Sequence, residues 1–353
     1  MRFLITGASG FVGYALATSL AAIHGRAALQ LVASPVPRTE EERGRLQALH
    51  DDGYDVLESD LLGGALDADA FRHFDVCFHL AAFTETETRS SLVRVNDVGT
   101  RRLLDCLGEH LRGKLVVYTS SVTVTDCVGS TDVPRTEYAR TKLVGERVVR
   151  DAAERGGATW KIVRLPTVIG PGYRPGGMFS VVACGLRGNR LSTRLAWPGR
   201  ISLVFLDDAV RALAAIAAEM GESGMHSLGA PNPPPFDELI EEVSEVLHVR
   251  RERIVLPACF WAFVRWFTCL PWQHVLPYGL WAGVWRISNV AADSMVLDGA
   301  PLNELLKLRH LPLRDAVQRT YEPLRLAMEN PQASQAPSRC APVNSRAGEQ
   351  RRR

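Results

Sequence analysis

To about residue 165 the chain alternates short apolar runs with stretches in which apolar residues recur every three or four positions. The runs at 2–6, 28–33, 54–58, 74–80, 114–119 and 160–165 predict strands. The stretches at 11–24, 39–50, 91–111 and 136–155 predict the helices between them. Alternation at this pitch implies a parallel sheet covered on both faces, so the expected fold class is α/β, a doubly wound sheet. Beyond Arg164 the texture changes. Leu165 to Gly172 reads as a strand end running into a turn-rich loop, and 203–220 as a strand followed by a helix opening at Asp207-Asp208. Residues 236–247 and 311–328 read as further amphipathic helices. The expected organisation is a sheet domain over 1–170, a smaller C-terminal substrate lobe over 171–329 that returns some elements to the first, and a tail over 330–353.

Composition narrows the class. With 353 residues, 46% hydrophobic and 23% charged, the chain has ample material for a core and the balance of a soluble protein. The net charge of +2 misleads, because residues 330–353 hold five arginines and one glutamate, leaving the body at −2. The body is not basic, so no nucleic-acid partner is expected. The tail, rich in Pro, Gln, Ser, Ala and Arg without periodicity, is expected to be disordered. Seven scattered cysteines without a Cys-x-x-Cys pair suit reduced thiols and a cytoplasmic setting. The opening strand leaves no room for a signal peptide, which points the same way. Nine dispersed histidines show no metal-ligand spacing, so no metal is expected.

Chemistry begins at the first turn. The strand ending at Thr6 is followed by Gly7, Gly10 and Gly13, with a helix starting behind them. Glycines let the backbone turn sharply and approach a diphosphate, whose charge sits on the free N–H groups of the helix start. Gly13 would let that helix lie close on the sheet. Further polar segments sit at strand ends: Glu58-Ser59-Asp60-Leu61, Phe78-His79-Leu80-Ala81-Ala82 and Val117-Tyr118-Thr119-Ser120-Ser121. Open α/β sheets bind ligands at those carboxyl ends. On the helix predicted after Ser121, Tyr138 and Lys142 stand four apart and so point the same way. An ammonium beside a phenol favours the phenolate and lets Tyr138 exchange a proton near neutral pH. Ser121, or else Ser120, would hydrogen-bond the substrate oxygen.

In this order and spacing the segments resemble the extended short-chain dehydrogenase/reductase family, from Met1 to roughly Glu322 and most strongly before Gly172. The Thr-Gly-x-x-Gly-x-x-Gly turn is complete at Thr6, Gly7, Gly10 and Gly13. The resemblance implies an NAD(P)-binding Rossmann domain over 1–170 and catalysis by Ser121, Tyr138 and Lys142. It places the cofactor on Gly7, Ser9, Gly10, Phe11, Val12 and Gly13. Asp60 and Leu61 would receive the adenine, and Ala81 the nicotinamide ribose region. Asn96 would support the helix beside the active site, and Arg164-Leu165-Pro166 would lie near the carboxamide. Tyr138 and Lys142 would touch the cofactor as well. Homodimers are common in the family.

Four departures stand out. Tyr138 lies only seventeen residues downstream of Ser121, the stretch between Ala82 and Asn96 is short, and Val124-Thr125-Asp126-Cys127 replaces the Tyr-Gly of nucleotide-sugar relatives. The Thr-Asp-Glu of dehydratases is absent at Ser120-Ser121-Val122. The resemblance thus leans to the 3β-hydroxysteroid dehydrogenase and dihydroflavonol reductase types. A reductase or dehydrogenase is the first expectation; a nucleotide-sugar epimerase with trapped NAD and a non-catalytic NADPH-binding protein are the alternatives.

The second predicted strand ends Leu31-Val32-Ala33-Ser34-Pro35 with no acid for a ribose, and Arg38 follows. Ser34 and Arg38 could bind a 2′-phosphate, which favours NADP over NAD; the bland alternative is an Arg38 that faces solvent. Five tryptophans, 261, 266, 272, 281 and 285, crowd the region 255–286. They form either a core or cap over the substrate lobe, or an apolar lid or interfacial patch for a lipophilic small-molecule substrate, with peripheral membrane contact through 255–286.

Overall fold

A computed structural model describes residues 1–329 apart from 64–67, 72, 85–87, 128–133, 174–177, 220, 269, 271–275, 277 and 293–294. The expected disordered tail, 330–353, and Trp272 lie outside the described residues.

The sequence enters strand β1 (Phe3–Thr6), helix α1 (Phe11–His24), β2 (Leu29–Ala33), α2 (Glu40–Asp51), β3 (Asp55–Glu58) and β4 (Val76–His79). Helix α3 (Arg89–Leu92) runs through a π-helical stretch at Val93–Gly99 into α4 (Thr100–Leu107). Then come β5 (Leu115–Ser121), α5 (Glu137–Gly156), β6 (Thr159–Leu165) and β7 (Thr167–Ile169). The second half holds α6 (Met178–Arg187), α7 (Leu191–Arg194), β8 (Leu203–Phe205), α8 (Leu206–Ala218), β9 (Gly224–Ser227) and α9 (Phe236–Val246). Helices α10 (Ala258–Thr268), α11 (Tyr278–Ala291), α12 (Ala300–Leu306) and α13 (Leu313–Glu329) close the chain.

Seven strands form one parallel sheet in the order β3-β2-β1-β4-β5-β6-β9. Both faces are covered, which is why β1 and β5 are apolar over most of their length and buried throughout. Alternate residues feed opposite cores. Phe3, Ile5, Leu115 and Val117 meet α1 and α8, whereas Leu4, Val116 and Tyr118 meet α4 and α5. A separate apolar cluster joins Ile169, Phe205, α6, α9 and α13.

The predicted helix at 91–111 is not one continuous α-helix. The side chain of Asn96, inside the π stretch, accepts from Phe83 N (2.7 Å) and donates to Phe83 O and Thr141 Oγ1 (both 3.0 Å). Those tertiary bonds hold the wider turn, as π-bulges at functional sites do. The expectation of reduced thiols is corrected at Cys184, which is disulfide-bonded. Proximity of two sulfurs in the fold decides this, and scattered spacing in sequence does not reveal it. Cys77, Cys106, Cys127 and Cys259 are thiols.

Candidate active site

Strand order reverses between β1 and β4: the first three strands step outward, and β4 then pairs on the other side of β1. That crevice is where such sheets hold ligands. The glycine turn lies on one wall and the end of β4 on the other. Gly7 has φ +73°, and a Cβ there would sit 2.7 Å from Ala81 N. Helices α2 and α5 begin with threonine caps, Thr39 and Thr136, and carry acids in their first turns. Helix α1 has neither a side-chain cap nor a first-turn acid. Its N–H groups and dipole therefore stay available to an anion, so the turn fits the diphosphate of a dinucleotide.

Beneath the crevice runs a buried polar chain. Thr6 Oγ1 meets His79 Nδ1 at 2.7 Å, and His79 Nε2 meets Thr100 Oγ1 at 2.9 Å. Burial, and then the charge of Lys142, lower the His79 pKa to about 3, so the ring is neutral at physiological pH. Lys142 itself is buried; its Nζ donates to Thr119 O at 2.8 Å and lies 4.8 Å from the centre of the Tyr118 ring. Burial lowers its pKa to about 7, with Glu146 opposing. Tyr138, one turn earlier on the same face of α5, is partly buried and close enough for its charge to act on Tyr118.

Serine choice is narrowed by bonding. Ser120 Oγ donates to Glu146 Oε1 (2.5 Å), and Glu146 also takes a two-point bond from Arg164 (2.9 and 2.8 Å). Ser120 and Arg164 thus belong to a buried brace between β5, α5 and β6. Ser121 ends β5 and accepts from Thr123 N and Thr123 Oγ1 at 3.2 and 3.0 Å. Glu146 escaped sequence reasoning, although it continues the Tyr138–Lys142 spacing by four more residues.

At the far end of the crevice the residues read as phosphate binders are otherwise engaged. Ser34 Oγ closes a tight turn with Val36 N and O, both at 3.3 Å. Arg38 is not simply solvent-facing: it lies 4.1 Å from the centre of the Phe83 ring and pairs with Glu42 (3.6 Å). Glu42 is buried, accepting from Arg38 N at 2.9 Å and, through its other oxygen, from Ser9 Oγ at 3.4 Å. Sequence reasoning sought an acid only on β2 and missed this one on α2. The available signal was Thr39-x-x-Glu42, a capping-box pattern that turns a carboxylate back towards the preceding loop.

Other expected contacts are placed as follows. Leu61 is buried, and its Cβ would lie 3.4 Å from a Cβ on Gly99. Asp60 Oδ1 accepts from Leu62 N at 2.9 Å. Phe11 and Val12 pack on the core below the turn, and Pro166 separates β6 from β7. A cavity of about 450 Å³ beside β7 and β8 is lined by Ile169, Phe205, His310 and Leu311 among others, but not by Ser121, Tyr138 or Lys142. Among the described residues no cluster could hold a metal ion, and no helix is long and apolar enough to cross a membrane.

D-erythronate dehydrogenase of Cupriavidus necator is 32% identical over 205 residues, 53% of this chain and 61% of the relative. An uncharacterised UDP-glucose epimerase of Bacillus subtilis is 28% identical over 50% of this chain and 59% of the relative. The chain thus spans about three fifths of the length of these curated relatives. Among solved structures, UDP-glucuronic acid 4-epimerase from Bacillus cereus in complex with NAD superimposes with a TM-score of 0.70 at 19% identity, covering 92% of this chain and 99% of that one. DesIV, a dTDP-glucose 4,6-dehydratase from Streptomyces venezuelae with NAD bound, gives 0.70 at 19% identity, covering 94% and 98%. Residues 3–228 match the profile of the NAD dependent epimerase/dehydratase family, and the chain belongs to that family.

Proposed function

We propose that the protein is an NAD-dependent oxidoreductase that interconverts a carbonyl and a secondary alcohol, with Ser121, Tyr138 and Lys142 as its catalytic residues. The carrying observation is the buried Lys142, one turn after Tyr138 on the same face of α5, with its Nζ donating to Thr119 O near the carboxyl end of β5. The nicotinamide, when bound, gives or accepts the hydride. Tyr138 gives its phenolic proton to the carbonyl oxygen during reduction and takes it back from the alcohol during oxidation. Ser121, whose Oγ accepts from Thr123 N and Oγ1, has its own hydroxyl hydrogen left to donate to the same oxygen, where it steadies the charge that develops. Lys142 favours the phenolate by proximity of charge.

The substrate we infer is lipophilic. Trp285 on α11 donates to Asp126 (2.6 Å), in the segment between Ser121 and Tyr138, and this tie between the aromatic helices and that segment supports the reading. The second reading is a sugar-nucleotide epimerase, favoured by the names of the structural neighbours. NADH consumption measured against steroid, acyl, polyketide and sugar-nucleotide panels separates them. Net turnover on lipophilic carbonyls is expected. Tightly copurifying NAD with no net turnover, and interconversion of a sugar nucleotide, would replace this reading with the second.

The dinucleotide we propose is NAD, reversing the preference for NADP that Ser34 and Arg38 suggest in sequence. The Glu42 carboxylate sits between the glycine turn and the loop after β2, where a 2′-phosphate would meet like charge. Glu42→Gln is expected to move the NADH/NADPH affinity ratio about tenfold towards NADPH, read by parallel titrations of each. A wild-type protein that binds NADPH more tightly than NADH would restore the sequence-based preference.

A further inference from the structure

The α10–α11 hairpin turns a layer of large apolar side chains outward. Phe260, Phe263, Trp266 and Phe267 share one face of α10, with Phe263 and Trp266 56% and 60% exposed. The Phe263 ring stacks on Phe267 at 6.1 Å and lies 5.7 Å from Trp266, so the layer is continuous. Leu280 and Ile287 are exposed on α11. The inner sides are already used: Trp261 packs on Trp197 at 5.0 Å, and Trp281 and Trp285 are buried. An exposed patch of this kind marks an interaction surface.

Charge selects the partner. From residue 254 to 292 the sequence holds no aspartate or glutamate, while Arg265 and Arg286 are exposed within it. Aromatic side chains flanked by arginines, in a stretch of sequence without acids, complement anionic headgroups above acyl chains. A second copy of the chain fits less well, because a two-fold contact would set these arginines against each other with no acid to pair them. Neither described helix is long enough to span, since α10 has 11 residues and α11 has 14.

We propose that the α10–α11 hairpin docks flat on an anionic lipid bilayer, with Phe263 and Trp266 seated at the headgroup–acyl boundary. The docked hairpin is keyed to the active site. Besides the Trp285–Asp126 bond, Arg135 reaches both Asp126 (3.4 Å) and Ser288 (3.5 Å), one residue ahead of the α5 cap. A substrate leaving the bilayer would thus arrive beside the segment that leads to Tyr138.

The test uses the full chain and reads vesicle binding without turnover, so it stands or falls apart from the proposed reaction. Co-sedimentation is measured with vesicles of phosphatidylcholine alone and of phosphatidylcholine mixed with phosphatidylglycerol. Binding to the mixed vesicles is expected, weakened by added salt. The double variant Phe263→Ser/Trp266→Ser should bind at least about tenfold more weakly, with unchanged thermal unfolding and dinucleotide affinity. Arg265→Glu/Arg286→Glu keeps the aromatic layer and should lose the preference for anionic vesicles. Absence of wild-type binding to either vesicle, or equal binding by both double variants, overturns the proposal. So does a solution dimer that the aromatic double variant breaks in a protein that ignores vesicles, which would assign the face to a second copy.

Discussion

Replacing Tyr138 by phenylalanine is expected to cut kcat by about 10²–10⁴-fold while leaving dinucleotide affinity nearly unchanged. The substitution removes one oxygen from a partly buried position on α5, and the helix keeps its Thr136 cap and its packing on β5. What disappears is the proton that must reach the substrate oxygen as hydride arrives. Steady-state turnover with NADH, beside a binding titration, separates loss of chemistry from loss of fold. Turnover equal to wild type would remove Tyr138 from the mechanism. The pH dependence carries a second readout. Burial holds Lys142 near a pKa of about 7, so it is an ammonium below that pH and neutral above it. Because the charged form favours the phenolate, kcat/KM for the dinucleotide should fall as pH rises through about 7. Lys142→Met should be slow at every pH and lose that limb.

Much of this site was legible because its residues obey local rules. Buried parallel strands announce themselves as apolar runs, and β1, β4 and β5 were read within a residue or two of their ends. Tyr138 and Lys142 follow helical spacing, and the acid that completes the row, Glu146, was there to be read by the same rule. Strand β9, Gly-Met-His-Ser, is a half-exposed edge strand with no apolar run, so nothing in its composition marked it. Pro166 ends β6 because it has no N–H for the ladder, and the chain then pairs β7 with β8 in a second sheet. The π stretch at Val93–Gly99 depends on bonds from Asn96 to Phe83 and Thr141, which no helical periodicity encodes. Glu42 faces the glycine turn from α2 because of how its helix is capped, a feature that a search along β2 alone could not reach. The tryptophans divide in the same way: Trp261, Trp281 and Trp285 are core, and Trp266 is surface. Composition counts them without telling which side they face.

Gly13→Ala is the substitution expected to do most damage for its size. A Cβ at residue 13 would lie 2.1 Å from Gly7 O, 2.9 Å from Gly7 C and 3.1 Å from Ala8 Cα, all backbone atoms that no rotamer change can move aside. Gly7 cannot retreat, since its own Cβ position is within 2.7 Å of Ala81 N and its carbonyl accepts from Gly10 N at 2.9 Å. Either α1 slides off the sheet or the turn opens, and both outcomes spoil the approach to a diphosphate. A cost at or above the usual overpacking range, about 3 kcal/mol, is expected in thermal or denaturant unfolding. Dinucleotide affinity should fall by about 10²-fold or more. Gly44→Ala is the matched control: it lies in α2, exposed, with nothing within 4 Å of the added carbon. Helix propensity alone should make that variant about 0.5–1 kcal/mol more stable, with cofactor affinity unchanged. If Gly13→Ala instead matched this control in both stability and affinity, close contact between α1 and the first turn could not be what shapes the anion cradle.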